Sequence, residues 1–260
     1  MITNGTPSRR THTMARRTKA DAQATRNSLL DAAEHLFQTR GVSRTSLNDI
    51  ALAAGTTRGA IYWHFKDKAD LFNAMMARVT MPLEETLLCI GQQAGALDDP
   101  LQALRQSMGE ALHKTATDEQ TRRVFEIATH KVEYVDDMNA VRERHLQVRT
   151  ACMEQTALAL QAAALKQGLT VAMPWQGAAL GLHVIVDGLI QHWMLDTQAF
   201  DLQASGSFTI EAYLKGLGFT LSDAPARSPS AAKPLKAVAN AAPPAPSGSP
   251  RPGPSRTQTA

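Results

Sequence analysis

The sequence predicts an all-α chain of nine helices, three short and clustered followed by six longer, and three observations predict it. Apolar residues recur at helical spacing from about Gln23 to Phe219, with no convincing alternation of period two. Cap residues and stop glycines divide that stretch into pieces of helical length. The flanks, 1–22 and 221–260, carry no such pattern: the first is polar and basic, the second rich in Pro, Ala and Ser.

Each helix has its own signals. The first spans about Ala24 to Arg40, with Leu29, Leu30, Ala33, Leu36 and Phe37 on one face and Gly41 as the stop. The second, Leu47 to Ala54, follows Ser46 as cap, with Asp49 in its first turn and Gly55 after it. A third short helix runs from Arg58 to His64 after Thr57. A longer one begins near Lys68 and carries Leu71, Phe72, Met75, Met76 and Val79; Pro82 is expected to kink or end it. Asp99 and Pro100 open the next, and Thr117 to Gln120 reads as a capping box for the helix holding Val124, Phe125 and Ile127. A long helix from about Asp136 to Gln167 stops at Gly168; Pro174 opens one to about Leu195, and Ser207 to Gly218 holds the last.

Composition bounds the function. Residues 1–68 carry 11 Lys+Arg against 5 Asp+Glu, residues 69–220 carry 11 against 18, and residues 221–260 carry 5 against 1. A basic segment on an acidic body points the first segment at a polyanion. No uninterrupted run of 18 apolar residues exists, since His183 and Asp187 interrupt the best candidate, so no membrane partner is expected. The basic N-terminus has no apolar signal-peptide core, and Cys89 and Cys152 build neither a disulfide framework nor a zinc site; the expected compartment is the cytoplasm. Met14 begins a more compact reading, MARRTKADAQATR, and is expected to be the translation start. The tail, with 9 of the 13 prolines and no aromatic residue, is expected to be disordered.

Two short helices around a tight glycine turn, Leu47 to His64, have the dimensions of a helix-turn-helix, whose second helix enters the major groove. Leu47, Ile50, Ala51, Ala60, Ile61 and Phe65 turn inward against Leu30, Ala33 and Phe37. Thr45, Thr57, Arg58, Tyr62, Trp63 and His64 are left outward, which sets two large aromatics beside cations. Such a cluster needs a cover. Hydroxyl, imidazole and ammonium groups donate to phosphate oxygens, Arg58 is long enough for a base edge, and Gly59 allows close backbone approach.

The segment TRNSLLDAAEHLFQTRGVSRTSLNDIALAAGTTRGAIYWHFKDKADLF, residues 25–72, resembles the N-terminal DNA-binding domain of TetR/AcrR family transcriptional regulators. The resemblance implies a homodimer that reads a near-palindromic double-stranded operator as a repressor, and assigns DNA contact to Thr45, Thr57, Arg58, Gly59, Tyr62, Trp63, His64 and Lys68. It continues through RRVFEIATHKVEYVDDM (122–138), VDGLIQHWML (186–195) and FDL (200–202), which resemble the branch of the acriflavine-resistance repressor and relatives that control RND multidrug efflux operons. The domains so implied are an extension (1–22), the helix-turn-helix domain (23–67), a six-helix ligand-binding and dimerisation domain (68–220) and a tail (221–260).

In that second domain Ser107, Met108, Ala111, Phe125, Thr129, His183, Val186 and Asp187 are expected to line a mostly apolar pocket for a small hydrophobic or cationic drug-like ligand. Phe125 and Thr129 stand where some relatives carry Asn and His. The resemblance places dimerisation on the last two helices, with Leu182, Ile185, Leu189, His192, Trp193, Phe208, Tyr213 and Leu217 as candidate surface; some of these must face the core. The helix from Lys68 would join DNA to pocket, with Pro82 as its bend. Against an enzyme, the pairs His183/Asp187 and His130/Glu133 lack a third ligand, and no phosphate loop or nucleophile motif appears; no catalytic residue, metal or cofactor is expected. The alternatives are a family member with another regulon, such as lipid or catabolic genes, and an architectural DNA binder.

Overall fold

A computed structural model of the protein describes residues 19–133 and 138–222, and its regular elements there are all helical. They are α1 (Lys19–Arg40), α2 (Leu47–Ala53), α3 (Arg58–His64), α4 (Lys68–Gln93), α5 (Pro100–Thr117) and α6 (Glu119–Glu126), which runs into a π-helical turn (Ile127–Lys131). Then follow α7 (Asn139–Gln167), α8 (Trp175–Leu195) and α9 (Leu202–Gly216). The readings of Met14, of the extension before Lys19, of the tail and of a helix start at Asp136 fall outside the described residues.

Most boundaries have a local cause. Gly41, at φ 83°, takes the left-handed conformation after α1, and its N–H donates to the Phe37 carbonyl at 2.9 Å. Ser46 and Asp49 form a reciprocal capping box at α2. At α6 the expected cap is corrected: the Thr117 hydroxyl is spent on the His113 carbonyl, and the Asp118 carboxylate accepts from Thr121 N–H instead. Accepting from both the N–H and the hydroxyl of Thr121 holds the Asp118 carboxyl below its ordinary value. The last helix begins at Leu202, not Ser207, because Asp201 caps it and the small residues Ala204 to Ser207 continue the helix with little apolar signal.

Pro82 lies inside α4 without ending it. Its ring removes the helical donor for the Arg78 carbonyl, and next to that gap the Lys114 ammonium of α5 donates to the Val79 carbonyl at 3.4 Å. Two hydrophobic cores form. One joins α1, α2 and α3 to the first three turns of α4 and continues through Val124, Ile127, Met138 and Val141, so packing does not stop at residue 67. The other joins α5, α7, α8 and α9 around Leu104, Leu112, Leu160, Leu182 and Leu214.

One helix bears on the membrane expectation without overturning it. Averaged over 18 residues, α8 reaches a mean hydropathy of 1.3 despite His183 and Asp187, so by length and composition it is apolar enough to cross a membrane. Only 22% of that window is buried within the chain, which leaves an apolar helix surface in need of a cover.

Candidate nucleic-acid interface and ligand-domain surfaces

The sequence of α3 explains how it presents its outer face. Ile61 is fully buried and Phe65, just past the helix, is 1% exposed; together they dock α3 onto α1 and α2. That docking turns Tyr62 (49% exposed) and Trp63 (74% exposed) away from the core. The Arg58 guanidinium lies 5.8 Å from the centre of the Tyr62 ring, a cation–π contact that pre-arranges a long side chain. Trp63 and His64 meet edge to face at 4.6 Å. At the N-cap the Thr57 oxygen accepts from Ala60 N–H at 3.2 Å, and its own O–H remains a donor.

Gly59 is exposed, and an added Cβ would meet nothing closer than the Thr57 hydroxyl at 4.0 Å. Glycine inside a helix costs about 1 kcal/mol relative to alanine, and no intrachain contact demands it here.

One member of the expected set is placed otherwise, and another has partners within the chain. Thr45 is 1% exposed, not outward, because its hydroxyl donates to the Gly41 carbonyl at 2.8 Å to close the turn after α1. Lys68 is half-buried and its ammonium donates to the carbonyls of Val42 (3.0 Å) and Thr45 (3.3 Å), pinning α4 to the loop that precedes α2. Lys68→Met is therefore expected to lower unfolding free energy by about 1–2 kcal/mol in urea titrations. Unchanged stability would show that these two hydrogen bonds contribute nothing net to the fold.

The eight expected pocket residues divide between the two cores and the surface. Phe125 packs on the first core, Met108 and Val186 on the second, and Ser107 is buried. Ala111 and Thr129 are half-buried, and the Ala111 carbonyl accepts from the Thr115 hydroxyl. Asp187 is exposed and accepts from the Gln191 amide at 2.6 Å. Burial lowers the basicity of His183; Asp187 opposes that, while His145 and Arg149 of α7 reinforce it. Two cavities, between α5 and α9 and between α4 and α7, are lined by none of the eight.

The dimerisation set divides. Leu182 and Trp193 are buried in the second core, and Ile185, Leu189, Tyr213 and Leu217 pack against it half-buried. Tyr213 also donates its hydroxyl to the Ala178 carbonyl at 3.1 Å. His192 and Phe208 are the exposed members. The apolar side chains that α8 leaves outside are Leu180, Val184 and Leu195. Because α8 is apolar on nearly every side, periodicity had no polar face by which to single them out.

Residues 29–75 match the family model for bacterial regulatory proteins of the tetR family, and residues 99–219 match that for the C-terminal region of MAATS-type transcriptional repressors. The regulator TtgR of Pseudomonas putida is 39% identical over 73% of this chain and 89% of its own length. The crystal structure of NalD, described as the secondary repressor of the MexAB-OprM multidrug efflux pump in Pseudomonas aeruginosa, is 34% identical. It superposes with a TM-score of 0.67 over 76% of this chain and 98% of NalD. SmeT, described as the repressor of the Stenotrophomonas maltophilia multidrug efflux pump SmeDEF, is 29% identical in its complex with triclosan, with a TM-score of 0.69 over 80% of this chain and 100% of SmeT. With a helix-turn-helix domain, a helical second domain and matches along both, the chain belongs to the TetR family and is a DNA-binding transcriptional repressor.

Proposed function

We propose that the protein is a cytoplasmic repressor that binds a near-palindromic operator as a homodimer, controls a multidrug efflux operon, and is released by a small hydrophobic or cationic drug-like ligand. The observation that carries the DNA half is the outer face of α3, where Arg58, Tyr62 and Trp63 stand exposed beside Thr57 and Gly59. Aromatic and guanidinium groups held outward on a second helix supply donors and rigid contact area to a groove. The efflux half draws on the described roles of NalD and SmeT, and the drug half on SmeT's complex with triclosan.

The homodimer is supported by α8. Leu180, Val184 and Leu195, with Phe208 of α9, are apolar side chains that one chain leaves in water, and a second copy would cover them in a four-helix arrangement. Val184→Glu is expected to halve the particle mass seen by light scattering at unchanged helical content. A variant that stays dimeric would remove this face from the interface.

α4 is the natural coupling element, since its first residue pins the loop before α2 and its body packs along α7. A ligand shifts the DNA-binding equilibrium only by its differential affinity for the two states of that element. The deciding experiment is equilibrium binding to the intergenic DNA upstream of the gene, against a scrambled fragment, with and without tetraphenylphosphonium. Specific binding weakened by the cation is expected. Equal affinity for both fragments would overturn the operator reading, and binding indifferent to the cation would overturn the inducer class.

A further inference from the structure

Among the described residues, the half-buried arginines other than Arg26 each find an oxygen within the chain. Arg78 pairs with Asp31 and Glu34, Arg105 with Glu211, Arg123 with Glu119 and Arg144 with Glu84, while Arg122 donates to the Ala116 carbonyl. Arg26 of α1 differs. Its guanidinium lies 5.0 Å from the centre of the Phe65 ring, a surface that offers no oxygen. A cation held over a ring face keeps its N–H groups, and a guanidinium has five of them to direct outward.

That ring joins Arg26 to the outer face of α3. Phe65 stands 6.2 Å from the His64 ring, and His64 meets Trp63 at 4.6 Å, so a continuous strip of side chains runs from α1 to the exposed indole. Further cations flank the α1 end of the strip. Lys66 is exposed directly after Phe65, and Lys19 is exposed about two turns before Arg26 on the same face of α1. The carboxylates beside them are engaged with backbone: Asp67 accepts from the Asp70 N–H at 2.8 Å, and Asp70 from the Lys66 N–H at 3.0 Å. A planar cation with unspent donors, set beside a face that meets DNA, suits a phosphate, which a guanidinium can contact through two parallel N–H groups. Arg26 also lies outside the stretch, residues 29–75, by which the DNA-binding domain is recognised.

We propose that Arg26 is a further DNA-contacting residue, donating to a backbone phosphate beside the groove that α3 enters, with Phe65 as the platform that fixes its guanidinium. A phosphate contact carries no sequence information; it positions α3 and adds affinity for any duplex. The inference rests on the reading of α3's outer face as the DNA interface, and it extends that interface from α3 to α1.

The test is equilibrium binding of the full chain to the upstream intergenic DNA and to the scrambled fragment, each across a series of salt concentrations. Arg26→Met keeps an apolar cover over Phe65 and removes the charge. It is expected to weaken binding to both fragments by the same factor, roughly tenfold at about 0.1 M salt, and to lower the slope of log affinity against log salt by about one for each protomer bound. Arg26→Lys keeps the charge and should keep the slope. Lys166→Met removes one exposed charge from the last turn of α7 and should leave affinity and slope unchanged, which separates a contact from a change in net charge. Thermal melts establish that each variant folds, and Arg26→Gln gives the same readout should Arg26→Met melt early. Wild-type affinity and slope in Arg26→Met would overturn the proposal, as would an equal loss in Lys166→Met. Trp63→Ala in the same assay tests the interface by itself. Unchanged operator affinity there overturns the reading of α3's outer face, whereas a loss in Trp63→Ala with none in Arg26→Met removes Arg26 alone.

Discussion

Trp63→Ala is expected to weaken operator binding by about 2 kcal/mol, roughly thirtyfold, while leaving stability within about 0.5 kcal/mol of wild type. The two effects separate because the side chain is 74% exposed in the free chain and contributes little to the fold it is built on. Tyr62→Ala should show a similar loss with an added component, since the ring also stacks under Arg58 and its removal frees that guanidinium to sample other rotamers. The contrast is Ile61→Ala. Ile61 is fully buried between α1 and α2, so that change should cost about 2–5 kcal/mol of stability and reach DNA only through unfolding. Fluorescence anisotropy on the upstream DNA, paired with thermal melts, distinguishes the two classes. Full operator affinity in Trp63→Ala would show that this face is not the one that meets DNA.

The helix-turn-helix was legible because its signals are local. Ser46 with Asp49, Thr57, Gly41 and Gly55 fix ends within a few residues of themselves, and α2 and α3 begin where those caps require. Thr45 was misplaced for the opposite reason, and the partners of Lys68 within the chain were hidden for it: each satisfies carbonyls that only the folded turn brings near. In the second domain, spacing showed that α5, α7 and α8 were helices but not which neighbour each face would meet. Leu182 and Val184 look alike in sequence, and one is fully buried while the other is 58% exposed.

The two domains are also joined by a polar network that spacing could not reveal. Glu34 of α1 is 2% exposed; it accepts from Arg78 of α4 at 3.1 Å and from Gln120 of α6 at 2.9 Å. Arg78 also reaches Asp31 at 2.7 Å, and Gln38 donates to Glu126 at 3.2 Å. One turn further, the Val42 N–H donates to the Lys131 carbonyl at the end of the π-helical turn. These contacts tie the helix-turn-helix to α4 and to α6 along one side of α1. A displacement of α6 or α4 would therefore act on this connection, the kind of contiguous element that coupling between sites needs.

Arg78→Met is expected to cost about 3 kcal/mol at neutral pH, because it leaves the Glu34 carboxylate buried with an amide as its remaining partner. For a chain of this size that lowers Tm by roughly 6–12 °C. Glu34→Gln in the Arg78→Met background should restore most of the loss, since a neutral amide needs no counter-charge. Full cost retained in the double variant would show that Arg78 acts through packing or through Asp31. The pH dependence gives an independent check. Burial pushes the Glu34 carboxyl above its ordinary value of 4.5, against the pull of Gln120 and Arg78. The folded state therefore holds this proton more tightly than the unfolded state. The stability so gained is fully present below pH 4.5 and is lost as pH rises through the raised folded value. Glu34→Gln cannot titrate, so its stability relative to wild type should climb over that interval and then level off. In Arg78→Met the pull of the guanidinium is gone and the interval should extend further toward neutral pH. A stability difference between Glu34→Gln and wild type that stays flat across that range would mean the carboxyl titrates alike in folded and unfolded chains, its burial fully offset by Gln120 and Arg78.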